Sequence, residues 1–288
     1  MTAGIDRVGV IGGGVMGSGI AEVCARAGVD TIVCEADQSA ADRAFGRIQR
    51  SLGRAVKAGK LYEDDAAAAT ARIRLVTALD ELHDRQVTIE AVTENEQLKT
   101  EVFRRLDDIV VDSDAIMASN TSSIPIMKLA MATRRPESVV GLHFFNPVPV
   151  LALVELIASL LSGETTIERA QSFAETVLHK TVIRSGDRAG FIVNALLIPY
   201  LLSAIRMTES GFATPEDIDR GMVLGCAHPL GPLALADLIG LDTVQAVAES
   251  LYDEFKEQLY APPPLLLRMV DAGLLGRKAG RGFFTYPG

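Results

Sequence analysis

Two blocks of this chain carry side chains able to move a proton. One is Ser119-Asn120-Thr121-Ser122-Ser123; the other contains His143-Phe144-Phe145-Asn146-Pro147 and is followed by Glu155. A neutral imidazole accepts a proton from a hydroxyl group in the ordinary pH range and returns it. His83 lies in a charged loop, His179 follows a helical pattern and His228 precedes Pro229, whereas His143 closes an apolar, β-rich run. His143 is therefore the best-placed general base. Glu155, in the next apolar run, is able to accept the second ring N–H, which would fix the tautomer and stabilise the imidazolium. Spacing alone leaves a purely structural histidine open.

A third block points to a ligand. Residues 7–19, RVGVIGGGVMGSG, lead from a β-branched run through Gly12-x-Gly14-Val15-Met16-Gly17 into an apolar-periodic segment with no breaker. This reads as strand, tight turn and helix start. Gly12 permits the turn, Gly14 lets a pyrophosphate reach the backbone, and Gly17 lets the helix pack closely. The leading amides and the dipole of the helix would hold the phosphates. The next requirement is an acid at the end of a second strand, and Glu35 stands eighteen positions beyond Gly17. A carboxylate there accepts hydrogen bonds from ribose hydroxyls and repels a 2′-phosphate, which favours NAD(H) over NADP(H). Asp37 is an equal candidate for that place.

The elements that must position these blocks follow from the alternation of patterns. From residue 5 to about 184, short β-rich runs alternate with helical ones, which predicts an α/β fold with a Rossmann-type, doubly wound, mostly parallel sheet. Strands are expected at 8–11, 31–34, 73–76, 87–91, 115–118, 139–143, 153–157 and 181–183. Each chemical block follows a strand end, where open parallel sheets gather ligands. Beyond residue 185 only helical patterns remain, at 192–211, 215–224, 232–238, 241–255 and 264–272, with Thr214-Pro215 as a cap and first-turn proline. Two domains are expected: a dinucleotide-binding domain at 1–185 and an all-α domain at 186–288.

Between the second and third strands, residues 39–60 read as an inserted amphipathic helix. Phe45, Ile48, Leu52 and Val56 form its apolar stripe, and Arg43, Arg47, Arg50, Arg54, Lys57 and Lys60 lie elsewhere on it. A solvated face and a handle for an anionic substrate tail both account for this basic run.

The 288 residues carry 28 basic and 37 acidic side chains, a net charge of −9, which leaves no footprint for nucleic acid. Cys24, Cys34 and Cys226 have no CxxC spacing, so neither a disulfide framework nor a metal site is expected. The opening residues lack a signal-type or transit-type pattern, and a cytoplasmic protein is expected. The apolar run 191–205, FIVNALLIPYLLSAI, is shorter than the ~20 residues of a membrane span. It also carries Asn194 and Pro199, and reads as a buried helix with no membrane partner. The helical part is more apolar than a small cluster buries alone, so a homodimer through those helices is expected.

Taken together, GGGVMGSG, SNTSSI, GLHFFNPVPVLALVELI, DRAGFIVNALLIPYLLSAIRM and GLLGRKAGRGFFTY resemble, in order and over nearly the whole chain, the short-chain form of the L-3-hydroxyacyl-CoA dehydrogenase family. The resemblance implies NAD as cofactor, an acyl-CoA thioester as substrate, and reversible oxidation of a (3S)-3-hydroxyacyl-CoA to the 3-oxoacyl-CoA in fatty acid or butanoate metabolism. It implies that His143 is the catalytic base, that Glu155 pairs with it, that Ser122 contacts the substrate hydroxyl near the nicotinamide, and that Asn194 helps to hold the acyl part. For the cofactor it adds Glu94, Lys99, Asn120, Asn146 and Lys278 to the glycine loop and Glu35. For CoA it implies Ser51 with the nearby Lys57 and Lys60, although the family's usual lysine falls here on Ala58. Two alternatives use the same scaffold. A dehydrogenase of a free sugar acid or hydroxy acid would need a basic clamp, which neither SNTSSI nor HFFNP supplies; a non-catalytic NAD(H) sensor would not need a proton acceptor.

Overall fold

Val8, Val10 and Ile11 make Arg7–Ile11 an extended, fully packed strand, β1, with each of the three at 4% exposure or less. At Gly12, φ is +90°, and the chain turns into α1 (Val15–Arg26). There follow β2 (Asp30–Cys34), α2 (Gln38–Lys57), α3 (Glu63–Ala71), β3 (Ile73–Val76), β4 (Val87–Glu90), α4 (Glu96–Ile109), β5 (Ile116–Ser119), α5 (Ile126–Ala130), β6 (Val139–Phe144), β7 (Leu153–Ala158), α6 (Glu164–Ser172) and β8 (Thr181–Gly186). The computed structural model describes residues 4–286.

The eight strands form one sheet in the order β3-β2-β1-β4-β5-β6-β7-β8. Every neighbouring pair is parallel except β6 and β7, which run antiparallel. The α/β, mostly parallel expectation is met, with every strand end within three residues of the expected one. The antiparallel pair arises because no crossover helix separates β6 from β7: the chain folds back over residues 145–152. Strand order reverses between β1 and β4, which opens a crevice at their carboxyl ends. The short helix α3 lacks an apolar periodicity in EDDAAAATA, and the sequence pattern did not reveal it.

The chain divides into two compact units between Asp187 and Arg188. The second unit consists of α7 (Val193–Glu209), α8 (Pro215–Cys226), α9 (Pro232–Ile239), α10 (Leu241–Phe255) and α11 (Pro264–Asp271). Its core includes Leu201, Leu202, Ile205, Leu233, Leu241, Val244, Leu251 and Leu266. The Thr214 hydroxyl accepts the Asp217 amide and caps α8. The apolar run at the start of α7 is not buried all round. Leu201 and Leu202 are enclosed by α9, α10 and α11, whereas Leu196 on the other side is 72% exposed. Cys24 and Cys34 are buried, but Cys226 is exposed at the end of α8. Among the described residues no helix is long and apolar enough to cross a membrane.

Candidate active site

The glycine loop shows why each glycine stands where it does. A Cβ on Gly17 would lie 1.7 Å from the Gly12 carbonyl oxygen, and one on Gly12 would meet the Ala91 carbonyl oxygen at 2.8 Å. These two positions need glycine for the fold itself. A Cβ on Gly14 would meet nothing within 4 Å, so that space is left for something outside the chain. No side chain caps α1, and its leading amides at Val15, Met16 and Gly17 remain available to an anion.

Glu35 and Asp37 have separate tasks. The Asp37 carboxylate accepts the Ala40 amide and caps α2. Glu35 accepts the Gly13 amide at 2.7 Å and faces a crevice of about 610 Å³, which is also lined by Gly12, Gly14, Ala91, Val92 and Thr93. The loop after β1, the acid after β2 and the backbone after β4 thus meet at the switch point. Donors for a diphosphate, open space above Gly14 and a carboxylate for ribose hydroxyls suit a dinucleotide with an unsubstituted 2′-hydroxyl.

Three residues from three strand ends make the second half of the site. His143 and Glu155 are directly opposite in the β6–β7 register, so both side chains leave the sheet on one face. Leu142 and Phe144, with their partners Leu156 and Val154, enter the core on the other face. His143 Nδ1 is 2.7 Å from Glu155 Oε2, with the two residues 4% and 0% exposed. A carboxylate only accepts, so Nδ1 carries the proton and the neutral ring presents the Nε2 lone pair. Ser122 Oγ lies 3.2 Å from that Nε2. The Phe145 ring tilts against the imidazole at 4.6 Å between centroids. Asn120 Oδ1 accepts the Phe144 amide at 2.9 Å and thereby ties the end of β5 to the end of β6. A hydroxyl group presented to Nε2 would find a base already oriented for it.

Lys99 turns inward, whereas Glu94 keeps an exposed face. The Lys99 ammonium is buried, 2.7 Å from Glu90 and 3.2 Å from Glu94. Glu94 also accepts the Ser122 amide at 3.0 Å. Burial pushes the carboxyls of both glutamates up; for Glu90 it prevails, whereas Lys99 and the Thr121 and Ser123 hydroxyls hold Glu94 below its ordinary value.

A second cavity, of about 220 Å³, lies where α2 faces α1 and the loop after β6, and its lining includes Glu22, Arg47, Arg50, Ser51, Arg54 and Asn146. Burial pushes the Glu22 carboxyl up, against the Ser51 hydroxyl and Arg26. Lys57 and Lys60 are exposed and do not line this cavity. The spacing of Arg47, Arg50 and Arg54 places them on one helix face with Ser51, a signal the sequence carries. In the second unit, Asn194 lies in the first turn of α7, and Lys278 pairs with Asp242 at 2.5 Å.

The sequence model of the 3-hydroxyacyl-CoA dehydrogenase NAD binding domain matches residues 7–188, and that of the 3-hydroxyacyl-CoA dehydrogenase C-terminal domain matches residues 190–286. The chain belongs to the 3-hydroxyacyl-CoA dehydrogenase family. As a member of it, the chain is an NAD-dependent oxidoreductase. It is 57% identical over 286 residues to a 3-hydroxybutyryl-CoA dehydrogenase of Mycobacterium tuberculosis, covering 99% of this chain and 100% of the relative. It is 45% identical over 280 residues to a probable 3-hydroxybutyryl-CoA dehydrogenase of Deinococcus radiodurans, covering 97% and 100%. The crystal structure of FadB2 from M. tuberculosis matches with a TM-score of 0.98 over 99% of this chain and 100% of that one, at 57% identity. The (S)-3-hydroxybutyryl-CoA dehydrogenase PaaH1 of Ralstonia eutropha matches with a TM-score of 0.92 and 46% identity, covering 99% and 100%.

Proposed function

We propose that this dehydrogenase reversibly oxidises a short-chain (3S)-3-hydroxyacyl-CoA, such as 3-hydroxybutyryl-CoA, to the 3-oxoacyl-CoA in fatty acid or butanoate metabolism. The observation that carries this is the Glu155–His143–Ser122 chain, which presents an oriented base and a hydroxyl along the same sheet edge as the dinucleotide crevice. His143 Nε2 takes the proton of the substrate hydroxyl, while Glu155 offsets the positive charge that this creates on the ring. Ser122 hydrogen-bonds the reacting oxygen and orients it toward Nε2. Gly12, Gly14 and Gly17, the amides that follow them, and Glu35 hold the cofactor. NAD, when bound, supplies the hydride acceptor. In the reverse sense His143 returns the proton to the oxygen of the 3-oxo group.

The phosphates of CoA are served by the cavity over α2. Ser51 with Arg47, Arg50 and Arg54 gives a hydroxyl and three guanidinium groups on one helix face, and arginine suits phosphate geometry. These arginines take the part expected of Lys57 and Lys60. The protein acts as a cytoplasmic homodimer joined through the second unit, where Leu196, Phe212 and Leu224 are each more than 70% exposed.

The test is NADH consumption with acetoacetyl-CoA, run beside free acetoacetate and repeated with NADPH. Rapid loss of NADH with the thioester alone supports the proposal. Turnover of free acetoacetate at the same rate overturns the role given to CoA.

A further inference from the structure

The loop of residues 145–152 returns the chain from β6 to β7 and serves two places. Its first residue, Phe145, rests on the His143 ring, and Asn146, Pro147, Val148 and Pro149 line the cavity over α2. Within the loop the Val150 and Leu151 amides both donate to the Pro147 carbonyl, at 2.9 and 3.0 Å. Against α1 the loop is seated closely: a Cβ on Gly19 would lie 2.9 Å from Val148 Cβ. A second hold comes from Lys180, the residue before β8. Its ammonium donates to the Val148 carbonyl at 2.6 Å and to the Leu151 carbonyl at 2.7 Å. The lysine backbone is anchored in turn. Its amide donates to the Ala174 carbonyl at 2.9 Å, and the Thr181 amide donates to the Ala152 carbonyl at 2.8 Å. The acceptors of the ammonium are neutral carbonyls, not a carboxylate, and burial together with the charge of Arg26 pushes its pKa down. The place disfavours a cation, and what the cation gains there is a pair of charge-assisted bonds to two points of one loop.

We propose that Lys180 is the positioning residue for this loop, and that its bridge between Val148 and Leu151 sets the wall of the cavity that Arg50, Ser51 and Arg54 also line. The inference rests on the CoA reading of that cavity given above. Lys180 does not touch the thioester in this assignment; it acts through the backbone of the loop. A methionine at 180 keeps the length of the stem and carries no donor. Both carbonyls then lose the ammonium, and the middle of the loop is no longer tied to its end.

The experiment compares Lys180→Met and Lys180→Arg with the full-length wild-type enzyme by two readouts. The first is amide hydrogen exchange at Val150 and Leu151 in the cofactor-free enzyme. Lys180→Met is expected to speed it about tenfold or more, because the turn that protects these amides loses its outside support. The second is steady-state turnover. Lys180→Met is expected to raise the KM for acetoacetyl-CoA about fivefold, with the KM for NADH within about twofold of wild type. Lys180→Arg keeps the charge and the donors and is expected to recover most of both effects. Lys180→Gln, which keeps an N–H donor on a shorter stem, is expected to fall between them and serves if Lys180→Met does not fold. Unchanged exchange overturns the proposal, as does an equal rise in both KM values, which marks general loosening. Faster exchange at an unchanged KM for acetoacetyl-CoA also overturns it. The Arg50→Ala, Arg54→Ala double variant then tells the two failures apart. A raised KM in that variant leaves the CoA reading standing and removes Lys180 alone; an unchanged KM there removes the CoA reading as well.

Discussion

His143 and Glu155 are twelve residues apart in sequence and directly opposite each other across β6 and β7, with Nδ1 2.7 Å from Oε2. Cross-strand register, not a flexible loop, therefore sets their distance. His143→Gln keeps the volume of the ring roughly but offers no base of suitable strength. Its kcat should fall by at least ~100-fold, within the range that general-base catalysis supplies. NADH binding, measured by fluorescence titration, should be unchanged, because the crevice is built by other strand ends. Wild-type turnover in this variant would remove His143 from the mechanism.

Gly14 and Gly17 should respond differently to the same substitution. Gly17→Ala forces a methyl into the Gly12 carbonyl, and the fold should lose about 3 kcal/mol or more. Gly14→Ala meets no atom within 4 Å and sits at a φ of −59°, so its thermal midpoint should match wild type. Its NADH affinity should nevertheless drop, since the new methyl occupies the space assigned to the diphosphate. Calorimetry of both variants with and without NADH separates the two effects.

Glu35 should decide the choice between the two nicotinamide cofactors. Glu35→Ser removes the negative charge beside the crevice but leaves Asp37 to cap α2. The ratio of kcat/KM for NADH over NADPH is expected to fall at least about tenfold, which corresponds to ~1.4 kcal/mol. An unchanged ratio would show that Glu35 does not face the ribose.

Arg50→Ala combined with Arg54→Ala should raise the KM for acetoacetyl-CoA about tenfold or more while leaving the KM for NADH alone. Both side chains line the cavity with Ser51, and the arginine of this face that bonds the glycine loop is Arg47, at the Gly13 carbonyl. The equivalent change at Lys57 and Lys60 should have little effect.

Asp107 should show its contribution through pH. Burial pushes its carboxyl up, but hydrogen bonds from the Arg134 side chain and amide and from Arg135 outweigh this and hold it below 3.8. A depressed folded value means that the stabilisation is complete above 3.8 and is lost as pH falls through the folded value. Asp107→Asn should therefore be less stable than wild type to urea near neutral pH. The difference should shrink as the pH is lowered below that point. A difference independent of pH would contradict the assignment.

Much of this protein was legible before any coordinates. The glycine spacing, the acid after the second strand and the alternation of β-rich and helical runs depend on local backbone geometry, which the sequence encodes within a few residues. The sequence also put His143 and Glu155 into consecutive apolar runs. Other matters were decided by contacts between distant segments. The antiparallel return of β7, which makes His143 and Glu155 partners in register, depends on how the β6–β7 loop closes against the sheet. The separation of Glu35 from Asp37 depends on which carboxylate reaches the first turn of α2. The turning of Lys99 inward, onto the buried Glu90, follows from the cost of leaving a buried charge unpaired. That cost acts through three-dimensional distance, and a one-dimensional pattern carries no record of it.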